Sequence, residues 1–104
     1  RLFRSYQAAQ LYYNLGQYRA AALAYTTLIN NYPDSKKADD YKLMIIKSYY
    51  KFAALSIEER QPERYEKVIR EVEDFQDRFP ESKLLKEAER YLTLSQNNIK
   101  ALSQ

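Results

Sequence analysis

The sequence predicts an all-α fold of antiparallel helical hairpins, about five helices in 104 residues. Three observations predict it. Apolar residues recur every three or four positions along most of the chain, the spacing of one helix face. One Gly and three Pro leave little turn chemistry for a β-rich fold. An aromatic-Pro-acid-Ser-Lys signature also occurs twice, 47 residues apart, each time in phase with the same apolar helical pattern.

Taken in order, the first helix is expected over 4–15, with Tyr12 and Leu15 as large residues facing small ones on its neighbour. Gly16 and Tyr18 mark a helix-helix turn. Ala21, Tyr25, Leu28 and Tyr32 then share a face of a second helix over 18–31, where Ala20, Ala21, Ala22 and Ala24 allow close approach. Pro33 cannot continue the hydrogen-bond ladder and ends it. A third helix over 36–55 follows Asp34 and Ser35, and runs on through Tyr49, Tyr50 and Phe52. Asp39 and Asp40 in its first turn suit the helix dipole. SIEERQPE then breaks the rhythm, and Pro62 is placed to open a fourth helix over 63–79. Glu81 and Ser82 precede a fifth over 83–101. Ser35 and Ser82 are candidate caps of the helices that follow them. The connections at Gly16 and Pro33 are short, so neighbouring helices should run antiparallel.

The repeat aligns Tyr18 with Tyr65, Ala21 with Val68, Tyr25 with Val72 and Leu28 with Phe75. Beyond them Tyr32 aligns with Phe79, Pro33 with Pro80, Ser35 with Ser82 and Lys36 with Lys83. The chain divides accordingly into a first repeat (2–35), a second with an extended hairpin (36–82) and a terminal capping helix (83–101), all within one domain, 1–104. The opening RLFRSYQAAQ has neither a starting Met nor a signal-peptide pattern and reads as a piece of a longer chain.

Composition removes several functional classes. No Cys or His is present, which excludes disulfides, thiolate chemistry, imidazole bases and the commoner zinc sites. Without His, Ser48 and Ser95 have no activating base. Glu58 and Glu59 are adjacent and face apart in a helix, so they give no acid/base pair. No Gly-rich loop cradles phosphate. The expectation is a non-enzyme with no cofactor, metal or catalytic residue. Seventeen basic and fourteen acidic residues are interleaved, giving a net charge of +3. Lys36, Lys37, Lys42 and Lys47 therefore read as a solvated surface rather than a nucleic-acid stripe. No apolar run is long enough to span a membrane.

Nine of the eleven Tyr precede residue 51, which makes the first half of the chain aromatic enough to look for anchors. Tyr12, Tyr18, Tyr25, Tyr32, Tyr41, Tyr65 and Tyr91 read as packing residues. Adjacent rings such as Tyr12–Tyr13 and Tyr49–Tyr50 cannot both point inward. Tyr13 and Tyr50 are thus candidates to grip a partner, with Asn14, Gln17 and Lys47 at the rim. The 56–64 loop is the other candidate, through Glu58, Glu59, Arg60 and Arg64.

Gly16, Tyr18, Ala21, Tyr25, Leu28 and Pro33, with Ala9 and Tyr12 before them, resemble the tetratricopeptide repeat in order and spacing, although Ser5 occupies its usual Trp position. That resemblance implies a right-handed solenoid. The longer pattern YxxGQYxxAxxxYxxLIxNYPDSKxAxxY, followed by FxxRFPxSKxxKEA, resembles the C-terminal part of the BamD family of outer-membrane protein assembly lipoproteins, in its Bacteroidota-like form. The resemblance covers about 10–100. It implies a protein made with a signal sequence and held by a lipidated, palmitate-bearing N-terminal Cys at the periplasmic face of the outer membrane. Its implied partners are the β-barrel assembly protein, accessory assembly lipoproteins and unfolded outer-membrane proteins, with insertion of barrels as the outcome. Periplasmic repeat proteins that coordinate cell division use similar turns, so a general periplasmic protein-binding module stays open as the alternative.

Overall fold

The computed structural model describes all residues, Arg1–Gln104, and contains five α-helices and no strand. They are α1 (Leu2–Asn14), α2 (Tyr18–Asn31), α3 (Ala38–Ala54), α4 (Gln61–Arg78) and α5 (Leu85–Leu102). A single 3₁₀ turn, Glu58–Arg60, precedes α4. Each helix packs chiefly on its neighbours in sequence, and α3 also touches α5.

Side-chain partners fix the helix directions. Between α3 and α4, Phe52 meets Arg64, Tyr50 meets Tyr65, Tyr49 meets Lys67, and Lys42 meets Asp74. Partners descend one helix as they climb the other, so the pair is antiparallel. The same order holds between α1 and α2, where Tyr13 meets Tyr18 and the Tyr25 hydroxyl donates to Gln10 Oε1.

The turns follow from their residues. Gly16 has φ +78°, a conformation that costs an L side chain about 1–2 kcal/mol. Its N–H donates to the Tyr13 carbonyl, and the Gln17 N–H donates to that of Tyr12, closing the end of α1 as a Schellman motif. The two aromatic-Pro turns share one backbone. Tyr32 (φ −133°, ψ 59°) and Phe79 (φ −131°, ψ 54°) end α2 and α4 alike. Ser35 and Ser82 then donate from their N–H groups to the carbonyls of Tyr32 and Phe79, both at 3.1 Å.

Ser35 and Ser82 do not cap the helices. Each hydroxyl accepts from the N–H two residues on, that of Lys37 or Leu84. A further turn then links the Ser35 carbonyl to the Ala38 N–H and the Ser82 carbonyl to that of Leu85. These turns consume the residues expected to start α3 and α5, so the helices begin at Ala38 and Leu85 rather than at 36 and 83. Pro62 lies in the first turn of α4, where its missing N–H costs nothing, and the helix reaches back to Gln61.

Two apolar clusters form the interior, and α3 belongs to both. Ala9, Ala21, Tyr25, Leu28 and Ile29 pack with Ala38, Tyr41 and Ile45 of α3. Leu43 and Ile46, from another face of α3, pack with Val68, Val72, Phe75 and Ala88. The face that α1 turns inward carries Leu2, Ala9 and Tyr13. Tyr12 stands one residue, about 100°, round the helix from Tyr13, and Leu15 lies beyond the last turn. Contrary to the expectation from sequence, Tyr12 is therefore 39% exposed and Leu15 62% exposed.

Lys42 also departs from its reading as a solvated residue. It sits on the stripe that includes Ile46 and Tyr49, and its side chain is only 7% exposed. Its ammonium lies 2.5 Å from Glu71 and 2.6 Å from Asp74, both on α4.

Candidate functional site

The ring contacts show where the second hairpin is longer than the first. Tyr13 near the end of α1 packs edge-on to Tyr18 near the start of α2, with centroids 5.2 Å apart. Tyr50 and Tyr65 make the corresponding contact between α3 and α4 at 5.6 Å. Five positions separate the first pair and fifteen the second. The difference is housed in the end of α3, the connecting loop with its 3₁₀ turn, and an extra first turn of α4.

Tyr13 and Tyr50 are engaged within the protein. Burial pushes the Tyr13 hydroxyl above its ordinary pKa, with smaller contributions from Tyr91 and Tyr18. The Tyr50 ring lies between those of Tyr65 and Tyr91, and its hydroxyl accepts from Asn98 at 3.4 Å. Burial raises the Tyr65 pKa as well, with Tyr50 adding to it. Among the proposed rim residues, Lys47 is paired with Glu87 on α5 at 3.4 Å, and Asn14 accepts from Gln10 at 3.3 Å.

The 56–64 loop forms a more open surface. Leu55 and Ile57 are 75% and 65% exposed. With Phe52, Tyr18, Arg60 and Arg64 they line a hollow of about 500 Å³ between the α1–α2 turn and the α3–α4 loop. A second hollow, about 270 Å³, adjoins it by sharing Phe52, Arg60 and Arg64, and continues along α4 past Lys67 and Arg70. Local bonds hold the loop in place. Gln61 donates to the Ser56 carbonyl at 2.9 Å, and the Ser56 hydroxyl donates to the Phe52 carbonyl at 2.6 Å. The Arg64 guanidinium donates to that hydroxyl at 2.6 Å and stacks over the Phe52 ring at 4.4 Å.

The structure divides the four charged candidates of this loop. Arg60 and Arg64 line both hollows, whereas Glu58 and Glu59 are exposed and line neither. Arg60 pairs with Glu63 at 3.0 Å rather than with either of those acids. Phe52, Leu55, Ile57, Lys67 and Arg70 join the surface without having been singled out. The legible signal was Leu55 and Ile57, two large aliphatic residues flanking a segment otherwise rich in charge.

The interior polar groups have structural surroundings. Ser48 and Ser95, 47 positions apart, are fully buried with hydroxyls that have no partner. Burial pushes the Glu71 carboxyl up, but bonds and charges from Lys42 and Lys67 outweigh it and hold the pKa below its ordinary value. Asp74 behaves likewise, with Lys42 and then Arg78 overcoming its burial. No group of three or more acidic residues is placed to hold a metal ion. No helix is long and apolar enough to cross a membrane. Compared with known proteins, the chain matches no family model and no curated protein.

Proposed function

We propose that this chain is a non-catalytic scaffold of the outer-membrane β-barrel assembly machinery. It binds the barrel assembly protein and supports insertion of outer-membrane proteins, with accessory lipoproteins and unfolded barrels as further partners. It works at the periplasmic face of the outer membrane, on a lipid anchor carried elsewhere in the full-length protein. The observation that carries the proposal is the aromatic-Pro-Ser turn built twice on one backbone. The residues that make this turn, NYPDSK and RFPESK, are the ones through which the sequence resembles that lipoprotein family.

On this reading the 56–64 loop is the docking element. It is the part of the hairpin whose length the core does not require, and it holds exposed aliphatic side chains beside charge. A mixed interface of this kind gives selectivity and speeds encounter. The test is affinity isolation of the intact complex with the natural loop, and with 57–61 replaced by a neutral Gly/Ser segment of equal length. The barrel assembly protein should co-purify with the first and be depleted with the second, helicity being retained in both. Isolation without any barrel assembly protein overturns the proposal.

A further inference from the structure

We infer that the paired hollows beside the α3–α4 loop form a docking groove for an acidic peptide segment carrying an aliphatic or aromatic anchor. The inference deepens the docking role of this loop and rests on that reading only for the loop's being an interface.

One end of the groove is apolar and the other cationic. Leu55, Ile57 and Phe52 offer an apolar floor at the loop. Arg60, Arg64, Lys67 and Arg70 line the adjoining stretch, where Glu63 is the one acid. Two of these cations form no ion pair. Arg64 is held by a hydroxyl and a ring, and Arg70 is exposed. Stacking on Phe52 and the bond to Ser56 preorder Arg64, so little rotamer entropy remains to be lost when a carboxylate arrives. A guanidinium so placed can meet a carboxylate with two parallel hydrogen bonds.

The charge arrangement selects the kind of partner. An anionic bilayer would also welcome exposed aliphatics beside Arg, but Glu58 and Glu59 follow Ile57 at the exposed edge and would be pressed against it. A peptide lying in the groove avoids them, because neither lines it. Basic and nucleic-acid-like partners are disfavoured on different grounds: the cations repel the first, and the Phe52 and Tyr18 rings that could stack a base already carry Arg64 and Lys51 over their faces. This arrangement of charge and apolar surface favours an extended acidic segment with an apolar residue seated over Leu55 and Ile57.

A random dodecapeptide phage library panned on the 104-residue chain tests this. Enriched peptides should be net acidic with at least one large apolar residue. The best of them, labelled with fluorescein, should bind with an affinity that falls as salt is raised. Arg64→Glu with Arg70→Glu should weaken binding by about tenfold or more, as should Leu55→Ser with Ile57→Ser. Lys86→Glu, at an exposed position on α5 that lines neither hollow, should leave it unchanged, and circular dichroism should show all variants folded. Enrichment of neutral or basic peptides overturns the inference. Undiminished binding in the double-charge variant does the same, as does co-sedimentation with anionic phospholipid vesicles that the peptide fails to displace. Peptide selection without co-purification of a barrel assembly protein would sink the proposed function and keep the groove. Co-purification that survives with no acidic enrichment would do the reverse.

Discussion

The Ser82 hydroxyl donates to the Asp39 carboxylate at 2.6 Å, while accepting from the Leu84 N–H at 3.0 Å. One side chain therefore shapes the second aromatic-Pro turn and fastens it to the first turn of α3. Ser35, its counterpart 47 positions earlier, holds only its own turn. Ser82→Ala should cost about 1.5–3 kcal/mol, as expected for a bond to a charged acceptor, and Ser35→Ala clearly less. Urea unfolding midpoints of the two variants measure the difference. Equal shifts would show that the Asp39 contact contributes nothing.

Ala21 and Leu28 lie on the inward face of α2 and are sealed from solvent. Leu28→Ala should cost on the order of 2–5 kcal/mol, through lost transfer energy and the cavity left behind. Ala21→Arg should be more damaging, since a long cation must enter a close helix contact. Expression as a folded protein and denaturant midpoints test both. An unchanged midpoint for either would place that face outside the core.

The Lys42 cluster gives stability an acid limb. Glu71 and Asp74 have lowered pKa values in the folded chain, so their contribution is fully present above the unfolded values, about 4.3 and 3.9. It is lost as pH falls through the folded values. Lys42→Met should destabilise the protein at neutral pH, on the order of 3 kcal/mol, by leaving Glu71 with Lys67 alone. It should also flatten the fall in stability below about pH 4. Thermal midpoints across that range check both effects.

At high pH the sign reverses. Burial, followed by Tyr6 and Tyr13, raises the Tyr25 pKa far above the ordinary tyrosine value, and Tyr13 and Tyr65 are raised as well. Their neutral forms stabilise the fold fully below the unfolded value of about 10, and this is lost as pH climbs toward the folded values. Tyr25→Phe removes the bond to Gln10, so it should lower stability near neutrality by about 1 kcal/mol. It should also weaken the alkaline decline. Denaturant titrations at pH 8 and above test the pair of effects.

The helices were legible because their cause is local: spacing set the faces, and Gly16, Pro33, Pro62 and Pro80 set the ends. Burial of Ala21, Tyr25, Leu28, Val68, Val72 and Phe75 follows from the same spacing. Tyr12 and Leu15 were misjudged because a pattern tolerates a one-position error that the 100° rotation between neighbours does not. Lys42 looked like surface because its charge outweighed its position; the acids that neutralise it lie 29 and 32 residues away, across a helix pair. The docking groove was half visible. Arg60 and Arg64 stood out in the loop, but Lys67 and Arg70 join them only because α4 brings successive turns to one edge.

Because α3 gives one face to each apolar cluster, neither hairpin can melt without taking packing from the other. Nearest-neighbour coupling of this sort makes a short array behave cooperatively, with its ends the weakest parts. Amides of α3 should then exchange with solvent most slowly, and only through opening of the whole chain, while α1 and the end of α5 exchange by local fraying. A force or partner acting on the α3–α4 loop pulls directly on that central helix. Load applied at the groove is thereby shared by both halves of the molecule instead of peeling off one of them.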